Sequence, residues 1–141
     1  CDKEYDELRK HTPSRKIRQK VNENNVIGAD DPAIPGKKIE GSLEADHIVS
    51  MDKIAKIENF DKLSTENQIK VLNYEENFTG LSKSSNTSKG AKSYSEWTTY
   101  KKENIPISME YKAEMMKKES ALEPVLQGMI DGLLKEQGVK S

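Results

Sequence analysis

The chain has 141 residues, a third of them apolar and a third charged, with a formal net charge of −1. That length holds one domain with a modest core, and the near-neutral balance excludes a module that grips nucleic acid by overall positive charge. No run of 18 apolar residues occurs, which excludes a transmembrane helix, and no basic start leads into an apolar stretch as in a secretory signal.

The chain opens on Cys1 rather than Met and reads as a fragment of a longer protein. One cysteine makes neither an internal disulfide nor a cysteine-rich zinc site, so Cys1 is given no catalytic role. Tyr5 and Leu8 lie in a charged start. Thr12-Pro13 then predicts a helix over 13–23, with Thr12 as N-cap, Pro13 in the first position, and Ile17 and Val21 on one face. Residues 24–36 are rich in Gly, Asp and Pro and read as a loop. Residues 37–47 read as extended and run into a strand, with Gly41 as an interruption.

A short helix is expected over 51–57. Thr65 and Gln68 form a capping box that opens a helix to about Tyr74, burying Ile69 and Leu72. Residues 78–82 are the second strand candidate. Ser84 or Ser85 would cap a helix from Asn86 onward, and Trp97 and Tyr100 read as packing anchors. The tail reads as two helices. The first, 107–118, carries Met109, Ala113 and Met116 on one face. The second is opened by Ser120 and Glu123, with Pro124 in its first turn. Its stripe of Val125, Leu126, Met129, Ile130, Leu133 and Leu134, ending at Gly138, is the strongest helical signal and is expected to pack on the domain's own core.

The charge is unevenly spread. From Leu81 to Lys102 there are five lysines (Lys83, Lys89, Lys92, Lys101, Lys102) against the single acid Glu96, leaving an acidic remainder. A local basic patch on such a body suits an enzyme that holds a few phosphates and releases them. Two segments carry residue types that hydrolysis needs: Glu44-Ala45-Asp46-His47 at a strand end, and the run from Asn77 to Gly90. Histidine titrates nearest neutrality and suits a general base. Asp and Asn oxygens are hard ligands that favour Mg²⁺ or Mn²⁺ with open water positions. Lysines bind phosphate as point charges.

Asp46-His47-Ile48, followed by Asn77, Leu81, Asn86, Lys89 and Gly90 in register, resembles the HNH (ββα-metal, His-Me finger) endonuclease family. Ser82 and Ser85 stand at the two cysteine places of zinc-holding members, so the likeness is to a subset without structural zinc. The step from Asn77 to Asn86 also resembles the HNH domain of RNA-guided CRISPR nucleases, which carries Asn as its last ligand. The resemblance covers about 45 residues, and the 29 between His47 and Asn77 form a longer insert than in compact members.

The resemblance implies an α+β fold: a ββα-metal core of a two-stranded hairpin plus helix over 37–104, an N-terminal helical extension and loop over 1–36, and C-terminal helices on the core over 105–141. It implies His47 as general base, Asn77 as the residue that orients it, and Asp46 and Asn86 as ligands of one Mg²⁺ or Mn²⁺ ion. Lys89, Lys83 and Lys92 become candidate phosphate contacts. The activity implied is largely sequence-nonspecific hydrolysis of DNA, with RNA as the alternative substrate. The setting implied is a C-terminal toxin domain of a bacterial polymorphic toxin, exported to act in the target-cell cytoplasm and neutralised by a cognate immunity protein. A cytoplasmic restriction or phage nuclease, a non-cutting nucleic-acid or protein binding module of the same fold, and a helical interaction module built on residues 125–134 are the rival readings.

Overall fold

The computed structural model describes residues 7–90 and 92–140, with side chains described to residue 138, so Cys1 and Tyr5 lie outside the described residues. The architecture is α+β, with two small antiparallel sheets and one long C-terminal helix.

Helix α1 spans Arg15–Val21 and buries Ile17. Its N-cap is Ser14, whose side chain accepts from the Ile17 N–H, and not Thr12 as predicted. Thr12 is instead buried and bonds elsewhere. Strand β1 (Glu44–His47) is shorter than the extended stretch expected. It pairs antiparallel with β2 (Phe78–Leu81), in the register Glu44↔Leu81, Ala45↔Gly80, Asp46↔Thr79 and His47↔Phe78.

The insert between the strands carries α2 (Met51–Ala55), a 3₁₀ turn at Phe60–Lys62, α3 (Thr65–Leu72) and a second 3₁₀ turn at Glu75–Asn77. Ser64, one residue before the expected cap, caps α3 by accepting from Asn67. Gln68 donates its amide to the Phe60 carbonyl instead of closing a capping box. Helix α4 (Lys83–Lys89) follows β2 directly. Its cap is Ser82, earlier than the predicted Ser84 or Ser85, so Asn86 sits inside the helix.

Strands β3 (Thr99–Tyr100) and β4 (Ile105–Pro106) form a second hairpin. Helix α5 then runs unbroken from Met109 to Lys140, where two helices were expected, with Pro124 inside it. Proline removes one backbone hydrogen bond from a helix interior. The helix continues because Met115, Leu122, Leu126 and Ile130 form one buried face on both sides of Pro124. Pro124 and Ser120, whose carbonyl loses that bond, are both exposed, so water can satisfy the carbonyl. The face expected from Met109, Ala113 and Met116 is out of register: Met109 is 82% and Met116 42% exposed, while Met115 is buried.

Alternation along β1 puts Glu44 and Asp46 on one face of the hairpin and Ala45 and His47 on the other. Helix α4 covers the Glu44/Asp46 face, and α1 packs on the opposite one. Gly80, the partner of Ala45, permits that approach: a Cβ there would lie 2.8 Å from Leu43 Cδ1 and 3.1 Å from the Val21 carbonyl oxygen. The main core gathers Ile48, Val49, Ile54, Phe60, Leu72 and Trp97 with the buried face of α5.

Candidate active site at the hairpin and helix α4

His47 ends β1. Its Nε2 lies 2.9 Å from the Leu72 carbonyl oxygen and 3.3 Å from Thr12 Oγ1, and the Thr12 hydroxyl donates to the same carbonyl at 3.1 Å. A carbonyl only accepts, so Nε2 carries the hydrogen and Nδ1 keeps its lone pair. Phe78, the cross-strand partner, packs on the ring at 4.3 Å between centroids. Burial pushes the imidazole below the ordinary histidine value, and the Lys89 charge adds to that. The Leu72 hydrogen bond and the Asp46 charge oppose it. The ring is therefore neutral at neutral pH, with a fixed tautomer and an available base nitrogen.

Asn77 is fully buried and clasps the chain just beyond His47. Its amide donates to the Val49 carbonyl at 3.0 Å, its Oδ1 accepts from the Val49 N–H at 2.8 Å, and its own carbonyl accepts from the Ile48 N–H at 2.7 Å. The end of β1 is thereby tied to the start of β2, so Asn77 acts on His47 through the backbone and does not touch the ring.

Asp46 faces α4. Its Oδ2 accepts from the Tyr94 hydroxyl at 3.0 Å and lies 3.2 Å from Lys89 Nζ. Lys89, expected to meet substrate phosphate, is instead buried, and its ammonium also sits 4.6 Å from the centre of the Tyr94 ring. The apolar surroundings of the lysine stem and the nearby carboxylate hold it there, so it is not presented to solvent. Burial raises the Tyr94 phenol far above its usual range, and Asp46 adds to the shift. Burial likewise pushes Tyr111, on α5, up to about 12, and among the described residues nothing meets its buried hydroxyl at hydrogen-bond distance. Both phenols stay protonated, and Tyr94 donates to Asp46.

Asn86 lies one turn before Lys89 on α4 and donates its amide to Glu44 Oε2. Glu44, two residues from Asp46 on the same strand face, was given no role by sequence, although strand alternation alone aligns the two carboxylates. Among the described residues no hydrogen bond joins Asp46 to Asn86 or to His47, and no group of three or more His, Cys, Asp or Glu side chains is placed to hold a metal ion. Among the described residues, Asp46 Oδ1, Asn86 Oδ1 and Glu44 Oε1 are the oxygens of this cluster that accept no hydrogen bond. Carboxylate and amide oxygens of this kind are hard donors, the chemistry that a hydrated Mg²⁺ or Mn²⁺ takes rather than the nitrogen and sulfur donors of a structural zinc.

Ser82 and Ser85 both donate hydroxyl hydrogens to the buried carboxylate of Asp31, which also accepts from the Ala33 N–H. These contacts join the loop before β1 to the start of α4. Lys83 and Lys92 are exposed and line a surface groove of about 830 Å³, to which Glu44 contributes but Asp46 and His47 do not. Trp97 is buried, with its indole N–H on Ser88, and is no platform for a nucleotide base.

Compared with known proteins, the sequence matches no family model, and no curated protein or solved structure is significantly similar to it. No helix among the described residues is long and apolar enough to cross a membrane.

Proposed function

We propose that this chain is a metal-dependent endonuclease of the HNH type that hydrolyses DNA phosphodiester bonds. The observation that carries the reading is the His47 imidazole, neutral and held in one tautomer by the Leu72 carbonyl, with Nδ1 left to take a proton from water. The strand–strand–helix order of β1, β2 and α4, and the Asn77 clasp behind the histidine, agree with the sequence resemblance.

Asp46 and Asn86 would hold the ion, which when bound supplies Lewis-acid stabilisation of the charge that develops on the phosphate and leaving oxygen. Glu44 accepts from the Asn86 amide and so leaves Oδ1 as the ligand atom. Lys89 pairs with Asp46 Oδ2 and offsets its charge inside the fold. His47 and Asp46 project to opposite faces of β1, so one phosphate meets both only by lying across the strand's end.

The test is incubation of supercoiled plasmid with the chain and Mg²⁺ or Mn²⁺, beside a chelator control and a His47→Ala variant. Nicking that vanishes in both controls is expected. Intact plasmid under every metal, with RNA equally untouched, would leave a non-cutting binding module. The antibacterial setting, export into a competitor and a protecting immunity protein, belongs to the same proposal. It is checked by expressing the chain in a bacterial cytoplasm with and without the product of the neighbouring gene.

A further inference from the structure

The 830 Å³ groove lies between residues 38–44, helix α4 and the β3–β4 hairpin. Five lysines line it (Lys38, Lys83, Lys92, Lys101, Lys102) against the two acids Glu40 and Glu44. Lys38 is paired with Asp30, and Glu44 is engaged by Asn86. The other four lysines are exposed, and among the described residues none of them takes part in an ion pair. Elsewhere Lys10, Lys16, Lys20, Lys37, Lys53, Lys56 and Lys118 have carboxylate partners, while the exposed lysines Lys62, Lys70, Lys117 and Lys135, also without an ion pair among the described residues, stand away from this groove. In a chain of net charge −1, unpaired cations gathered around one cavity repel one another, a cost that a bound polyanion relieves.

The walls are fixed relative to one another. Ser88 on α4 donates to the Thr99 carbonyl at 3.4 Å and accepts from the Trp97 indole at 2.9 Å, which bolts the β3–β4 hairpin to α4. Lys83 and Lys92 therefore stand on one wall, and Lys101 and Lys102 on the turn of the hairpin opposite. Among the described residues the one aromatic side chain in the lining, Tyr100, is 6% exposed and lies beneath Lys37, so it offers no ring for base stacking. Ser84 and Thr87 add hydroxyl donors.

From this we infer that the groove binds the phosphodiester backbone of a nucleic-acid strand without reading its bases, and leads it past Glu44 toward the Asp46 face of the hairpin. The inference rests on the nuclease reading for its direction, but binding is measured without it. Charges that contact phosphate position a strand and carry no sequence information.

The test is fluorescence anisotropy of a labelled DNA duplex with the full chain in chelator, across a salt series. The paired variants are Lys101→Gln/Lys102→Gln and Lys83→Gln/Lys92→Gln, with Lys117→Gln/Lys135→Gln on the exposed surface of α5 as control. Each groove pair is expected to weaken binding about tenfold or more and to lower the salt slope by about one per lysine, with no change in the control. All six lysines are exposed, so thermal melts should coincide. Wild-type affinity and slope in both groove pairs would overturn the inference. So would unchanged duplex binding combined with lost binding to poly-glutamate, which would assign the groove to an acidic protein. A chain that binds through the groove but cuts nothing refutes the nuclease reading alone. Plasmid nicking with groove variants that bind normally refutes the groove alone.

Discussion

Lys89 Nζ lies 3.2 Å from Asp46 Oδ2, with the lysine side chain 5% and the aspartate side chain 16% exposed. A pair so closed to water is costly to break from one side only, because the surviving charge is left buried. Lys89→Met should lower the unfolding free energy in chelator by roughly 3–5 kcal/mol, and Asp46→Asn/Lys89→Met should recover part of that loss. Urea denaturation of the two single variants and the double variant gives the coupling. A loss below about 1 kcal/mol would match an exposed pair instead and contradict the burial.

The Asn77 clasp predicts a defect in both stability and activity. Asn77→Ala strands the Val49 N–H and carbonyl in the core, at about 1–3 kcal/mol for each unsatisfied group. Asn77→Asp keeps the acceptor but loses the amide that donates to Val49, and should be destabilised too. Denaturation measures the first effect. Plasmid nicking at a temperature where the variant remains folded measures the second, and full activity there would remove the positioning role.

His47 predicts a pH dependence of stability whose sign follows from its lowered pKa. Below about pH 6.5 the unfolded chain takes up a proton on this ring that the folded chain resists. The stability His47 contributes is therefore complete above that pH and is lost as the pH falls through the folded value. The difference in unfolding free energy between the wild type and His47→Gln should shift against the wild type between neutral and mildly acidic pH in chelator. A pH-independent difference, or an NMR titration of the ring at or above the ordinary histidine value, would contradict it.

Pro124 sits inside α5 on its exposed side. Restoring the backbone N–H with Pro124→Ala should stabilise the protein, by an amount below the roughly 3 kcal/mol that separates the two residues in helix interiors, because proline also restricts the unfolded chain. If two helices met at Ser120–Pro124, the same change would be neutral or harmful. A thermal melt decides between them.

Local chemistry made much of the chain legible. The α+β class, both strands of the first hairpin, a helix after the second strand and the apolar stripe of residues 125–134, all but Val125 turned at least partly inward, are written in alternation, capping residues and spacing. The chemistry of each residue type names Asp46, His47, Asn77 and Asn86 as candidates, but it does not say how they stand to one another: Asp46 and His47 lie on opposite faces of β1, and Asn86 bonds to Glu44. Helix starts were displaced by one to a few residues, since Ser14, Ser64 and Ser82 are as good caps as the neighbours expected, and packing chose among them.

Only the tertiary structure decided which partner each polar group has. Thr12, read as a cap, became the second contact of His47 across 35 residues, and Asp31, read as part of a loop, became the acceptor for Ser82 and Ser85. Lys89 went inward to Asp46, while Lys83, Lys92, Lys101 and Lys102 stayed out around one groove. The physical reason is range. Propensity, capping and periodicity act over a few residues and can be read along the chain. Burial, ion pairing and groove shape depend on which distant segments the core brings together, as when the hydrophobic face of α5 held one helix across Pro124 where local rules would start a second.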